Sequence, residues 1–96
     1  MLAACAVTPL TNHIDVGEDA IVIGAGEGLD GNTDLFAASA AGGSFIPLTF
    51  TPAEERHPRL SSDGTMVAFL RSRTEGGVTS WTVVALDLKT GAERTA

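Results

Sequence analysis

Cysteine is nearly absent from this 96-residue chain: Cys5 stands alone, and a single thiol excludes any internal disulfide. Basic side chains are also few. Six Lys and Arg stand against twelve Asp and Glu, for a net charge of −6. The six lie at positions 56, 59, 71, 73, 89 and 94, with no grouping tighter than Arg71-x-Arg73. Phosphate backbones are gripped by clustered cations, so nucleic acid is excluded as a partner. The acidity reads as simple solubility. No apolar run reaches the roughly 18 residues that a membrane-spanning helix needs, and no stretch has a convincing helical pattern. The length allows one domain at most, with a limited core.

What the chain does have is internal repetition. Residues 13–23 read HIDVGEDAIVI and residues 59–69 read RLSSDGTMVAF, an offset of 46. Each is a short extended piece, an acidic turn with glycine, and an apolar run. At the same offset Asp34-Leu35-Phe36-Ala37 falls on Ser80-Trp81-Thr82-Val83, and Leu48-Thr49 on Arg94-Thr95. A period of this size marks a repeat architecture.

The organisation that follows is a flexible lead over residues 1–10, one unit over 11–50 and a second over 57–96, joined by the polar, proline-containing segment 51–56. Such a segment is expected on the surface. In the second unit strands are expected near 57–61, 65–71, 80–88 and 92–95, with turns at Ser62-Asp63-Gly64, Thr74-Glu75-Gly76-Gly77 and Lys89-Thr90-Gly91. Asp-Gly between apolar segments is a strong hairpin signal. In the first unit strands are expected near 11–15, 19–24, 34–39 and 45–50, with a glycine-rich loop from Ala25 to Thr33. The Ala-rich stretch from Phe36 has some helical propensity, but its place in the repeat makes it a strand. Ala20-Ile21-Val22-Ile23, Met66-Val67-Ala68-Phe69-Leu70 and Val83-Val84-Ala85-Leu86 are apolar without alternation, which predicts burial on both faces. The fold class expected is all-β: two four-stranded antiparallel sheets, stacked as blades of an incomplete β-propeller.

The stretch His57-Pro58-Arg59-Leu60-Ser61-Ser62-Asp63-Gly64-Thr65-Met66-Val67-Ala68-Phe69 resembles the P-x-x-S-P-D-G-x-x-I-A-F blade signature of TolB-like β-propellers. The run Trp81 to Gly91 is similar to the I-Y-V-x-D-L-x-T-G piece that follows it, and Leu48-Thr49 to the R-x-L-T piece that closes a blade. Two departures are Ser62 in place of the proline, and Val16-Gly17-Glu18 in place of Pro-Asp-Gly. The resemblance implies a non-enzymatic scaffold or protein-binding module of the bacterial envelope, with other proteins as partners and no cofactor. The alternatives are the propeller remnant of a prolyl-oligopeptidase-like serine peptidase, or a gene fragment without a function of its own. A propeller closes with about four to eight blades. Two blades would leave apolar faces uncovered, expected to carry Ile21, Ile23 and Val67, so a homo-oligomer such as a trimer, or an insoluble chain, is expected.

Other chemistry finds little support. Gly24-Ala25-Gly26-Glu27-Gly28 follows an apolar strand, but a dinucleotide loop needs a further glycine where Leu29 stands, and a helix after it. Asp30-Gly31-Asn32-Thr33-Asp34 spaces oxygen side chains like a calcium loop, yet Leu35 and Ala41 occupy the positions of its glycine and its bidentate glutamate. His13 and His57 have no cluster of metal-ligating neighbours. Ser61, Ser62 and Asp63 with a histidine are the residue types of a hydrolytic triad without its G-x-S-x-G elbow, and Asp63 is expected to shape a turn. No catalytic, cofactor or metal residue is therefore expected.

Leu2-Ala3-Ala4-Cys5 resembles the lipobox of bacterial lipoproteins, in which the cysteine thiol carries a diacylglycerol. Only Met1 precedes it, so the charged and apolar leader regions would have to come from a start further upstream. Membrane contact is expected only through such an anchor, with periplasmic or outer-membrane-anchored placement in that case. A longer form carrying the leader should incorporate labelled palmitate, and Cys5→Ser should abolish the label; labelling that survives the substitution would contradict the anchor.

Overall fold

The structure is a computed structural model that describes residues 10, 14–18, 20–27, 31–43, 45–49 and 51–95. Cys5 and most of the lead, His13, Leu29 and Asp30 lie outside the described residues. The described residues form seven strands and no α-helix. β1 (Ile21–Glu27), β2 (Thr33–Ser39) and β3 (Ile46–Pro47) make one antiparallel sheet in that order. β4 (Glu55–Leu60), β5 (Met66–Glu75), β6 (Val78–Asp87) and β7 (Glu93–Thr95) make the other, also in chain order. The expected all-β class holds, as do two sheets, one per repeat unit.

The first sheet has three described strands where four were expected. Of the strand expected at 11–15, residues 11–13 lie outside the described residues, and Ile14 and Asp15 are not extended. The Ile14 amide donates to the Leu10 carbonyl at 2.9 Å, and the Glu18 amide to the Asp15 carbonyl at 3.0 Å, which closes a turn over Asp15–Glu18. Leu10 is fully buried and its amide donates to the Leu88 carbonyl at 2.9 Å, so the end of the expected flexible lead is part of the core. The expected glycine-rich loop is shorter too: β1 runs through Gly24-Ala25-Gly26-Glu27, because Gly24 and Gly26 pair with Phe36 and Asp34. Cross-strand pairing here outweighs the low strand propensity of glycine. In the second unit the hairpin closes on Gly76-Gly77 alone, with φ of 57° and 80°. That two-residue turn needs positive φ at both positions, which glycine adopts without steric cost.

The repeat is visible in three dimensions, with a one-residue slip. Asp15-to-Glu18 and Ser61-to-Gly64 close equivalent turns at an offset of 46. Ile23 and Phe69 are also 46 apart, yet their partners Ala37 and Val84 are 47 apart. A slip of one residue exchanges the two faces of a strand. Trp81, placed opposite buried Leu35 by the sequence repeat, therefore points outward and is 43% exposed.

One apolar core joins the units. It contains Ile14, Val16, Leu35, Ala37 and Leu48 from the first, Val67, Phe69, Val84, Leu86 and Leu88 from the second, and Leu10 ahead of them. In β5 and β6 burial is one-sided, contrary to the two-sided burial expected of these runs, whereas β2 buries Asp34, Leu35, Ala37 and Ala38 and so is covered on both faces. Val67 and Phe69 are buried while Ala68 between them is exposed, and Val84 is buried beside an exposed Val83. Two sheets supply each other with a single covering layer. Ile21, Ile23 and Val67 face that layer rather than solvent; among the described residues the exposed large apolar side chains are Val22, Phe45, Val78, Trp81 and Val83. Ile21 and Ile23 are the repeat counterparts of Val67 and Phe69, so both units turn the same face inward. Sheets related by rotation about a ring axis meet through unlike faces; here like faces share one core.

A polar knot sits beside this core. Glu55, in the segment expected to be a surface connection, is fully buried. Its Oε1 accepts from Thr49 Oγ1 at 3.1 Å, and its Oε2 from Thr51 Oγ1 and Arg71 Nε, each at 2.8 Å. Thr49 Oγ1 in turn accepts the Leu35 amide of β2 at 3.0 Å. The far side of the Arg71 guanidinium grips Glu93 of β7 through both terminal nitrogens, at 2.8 and 3.0 Å. Hydrogen bonds from Arg71 to Glu93 and to Glu55 hold its pKa above the ordinary value, against the opposing effect of burial. A buried carboxylate is tolerated only when its acceptor sites are filled and its charge is met.

Two outcomes follow for stability. Phe69→Ala should cost roughly 3–5 kcal/mol, enough to remove the cooperative melting transition of so small a core, whereas Trp81→Ala should leave it almost intact. Glu55→Ala should also destabilise, by about 1–3 kcal/mol, since it leaves the Thr49 and Thr51 hydroxyls and Arg71 Nε without their buried acceptor while Arg71 keeps Glu93. Unfolding in urea, followed by circular dichroism, reads all three; a Glu55→Ala curve that overlays the wild type would contradict the role given to the knot.

Candidate functional site

The outward face of the second sheet is the most distinctive surface among the described residues. Strand pairing sets it. Arg56 pairs with Leu70, and Leu70 with Val83, in one row across the sheet. Arg59, Ala68, Ala85 and Arg94 make the adjacent row. Trp81 continues the face along β6, and the Arg56 guanidinium lies over its ring, 5.4 Å from the centroid. Such a contact is worth about 0.5–1 kcal/mol at an exposed site. Trp81 and Val83 are 43% and 46% exposed. The result is an apolar centre with arginines at its margin, a combination enriched in protein interfaces.

The opposite unit has the opposite charge. Residues 1–55 contain eight of the twelve acidic side chains and none of the six basic ones. The arginine-bordered face is thus the chain's principal attraction for an acidic or apolar partner. Sequence reasoning missed it, because the repeat aligns Trp81 with Leu35, which is buried; the signal that could have found it is the two-residue Gly76-Gly77 turn, which fixes the register of β5 against β6.

The residues weighed for chemistry go elsewhere. The Ser61 hydroxyl donates to Asp63 Oδ1 at 2.7 Å, and Ser61 Oγ accepts the Met66 amide at 3.0 Å. Asp63 Oδ1 also accepts the amide and hydroxyl of Thr65, at 3.1 and 2.8 Å. This is a turn that closes on itself, with Gly64 at a φ of 74°. His57 is exposed, at a φ of 56° where β4 slips its register against β5, next to Pro58. Proline lacks the N–H a regular ladder requires, which suits an irregular position. Gly24 and Gly26 lie within a strand, not in a phosphate loop. Among the described residues no three His, Cys, Asp or Glu side chains group as metal ligands, and no helix is long and apolar enough to cross a membrane.

Hydrogen bonds from Ser61 first, and then from Thr65, hold the Asp63 carboxyl below its ordinary value of 3.8. A carboxyl depressed in the folded state adds stability above its unfolded value, and that stability is lost as pH falls through the folded one. Asp63→Asn should therefore lower stability by a constant amount above about pH 5, with the gap to wild type closing below the unfolded value near 3.9. Urea unfolding at pH 7 and pH 3 checks this; a gap that widens in acid would contradict it.

Comparison with protein-family models, curated proteins and solved structures found no match, so the chain's function is argued from its own residues.

Proposed function

We propose that this chain is a non-enzymatic protein-binding module made of TolB-like propeller blades, acting in the bacterial cell envelope. The observation that carries the reading is the outer face of the second sheet, where Trp81 and Val83 stand in the open beside half-buried Leu70, with Arg56 across the indole ring. Apolar groups left in water beside oriented cations stabilise a complex more than they stabilise the free chain. The strand order β4-β5-β6-β7 also supports it, since a blade is a four-stranded antiparallel meander. Within a larger ring, the like-face contact of the two units would open so that each sheet takes a different neighbour on either side. The polar residues considered for catalysis are engaged in a turn, which favours binding over chemistry. Tethering to a membrane would come through Cys5 alone.

The reading is tested in cells with a photo-crosslinking amino acid at Val83, on the outer face, and at Glu75, at the exposed end of the β5–β6 hairpin. Discrete protein adducts should form from position 83 and not from 75. An absence of adducts from position 83, or identical patterns from both, would contradict a binding role for this face.

A further inference from the structure

The outer face of the first sheet is shaped as a receptacle. Gly24 and Gly26 of β1 lie on it, opposite Phe36 and Asp34 of β2. A Cβ built on either glycine would meet no atom within 4 Å, so the space above them is open. Phe36 and Phe45 wall that space and Glu27 stands at its end, enclosing a groove of about 330 Å³. Phe45 is 69% exposed, left in water by its own chain. Nothing among the described residues fills the groove.

The outer face of the second sheet is shaped as the complement. Trp81 projects from it as the one indole of the chain, with Arg56 lying over the ring. A groove floored by glycine and walled by two phenyl rings suits an aromatic insert, since offset or edge contacts between rings add about 0.5–1.5 kcal/mol beyond burial. The charges agree: the groove belongs to the half with no Lys or Arg, and the indole to the half that contains all six. Both features cannot meet within one chain, because the two sheets turn these faces away from their common core.

We propose that Trp81 of one copy docks into the Gly24–Gly26 groove of a second copy, with Arg56 of the first against Glu27 of the second. The contact is head-to-tail, so it joins unlike faces and produces a closed ring or an open chain of copies. The proposal rests on the reading of the outer faces as binding surfaces and names their partner as the chain itself. Burial of the indole between rings dominates the attraction; the Arg56–Glu27 pair at the margin sets orientation and adds little affinity.

Sedimentation velocity over a concentration series of the 96-residue chain reads the proposal. The wild type should self-associate. Trp81→Ala removes the insert, and Gly24→Val fills the groove at a strand position whose backbone accepts a side chain. Phe45→Ser is a second groove variant at an exposed site, should Gly24→Val fail to fold. Each should raise the dissociation constant at least tenfold. Because the contact uses two different faces, an equal mixture of Trp81→Ala and Gly24→Val retains one intact groove and one intact insert. It should form a 1:1 dimer that neither variant forms alone, and nothing larger. Should the wild type precipitate as an open chain, either variant should keep it in solution. A monomeric wild type at every concentration, assembly unaffected by the variants, or a mixture that stays monomeric would each overturn the proposal. A monomer whose position 83 still crosslinks to other proteins would remove only self-docking. A monomer without such crosslinks would remove the binding-module reading too.

Discussion

The fold depends on one buried carboxylate. Glu55 lies at the point where the chain passes from the first sheet to the second, and it is reached from both sides. Thr49 connects it to the Leu35 amide of β2; Arg71 connects it to β5 and, through Glu93, to β7. A carboxylate removed from water costs several kcal/mol unless such partners surround it, so the partners have to be in place together. That requirement fixes where the linker enters, how β2 lies against β4, and which face of the second sheet turns inward. Glu54 strengthens the same junction: its amide donates to Ser72 Oγ at 2.9 Å, and its Oε1 accepts the Thr33 amide at 2.9 Å.

The inward faces having been set, the outward faces follow. β5 and β6 alternate, so each residue they commit to the shared core has an outward neighbour, whereas β2 buries Asp34 and Ala38 as well as Leu35 and Ala37. Val83 and Trp81 are exposed for this reason, a direct cost of covering only one side of the second sheet. An architecture that hides apolar strands on one side and presents them on the other is suited to association. The uneven charge of the two halves gives that association a direction, acidic against basic, which like-charged halves would lack.

Strand existence and order were legible in the sequence for the second unit, and for three of the four strands expected in the first. The Asp63-Gly64 and Gly76-Gly77 turns, the apolar run from Met66 to Leu70, and the 46-residue repeat all lead to the observed hairpins. Facing was less legible. The runs Met66–Leu70 and Val83–Leu86 contain no polar residue to mark an outer side, so sequence alone implied burial on both. The side that loses its cover is decided by the number of layers present, which is a property of the assembled chain. The slip that turns Trp81 outward arises in the hairpin: Glu27 pairs with Thr33 across five residues, whereas Arg73, its counterpart 46 residues on, pairs with Ser80 across six. Glu55 was hidden for another reason. Its sequence neighbours, Thr51-Pro52-Ala53-Glu54, read as a surface connection, and its partners Thr49 and Arg71 are brought to it only by the fold.

The central claim is that the Glu55 knot fastens the two sheets into one cooperative unit. Native-state amide hydrogen exchange measures this directly, by the opening free energy of paired residues in each sheet. Ile23 and Ala37 of the first sheet should exchange with the same opening free energy as Phe69 and Val84 of the second, because both sheets open together. A first sheet that exchanges at substantially lower free energy, while the second keeps its protection, would contradict the account.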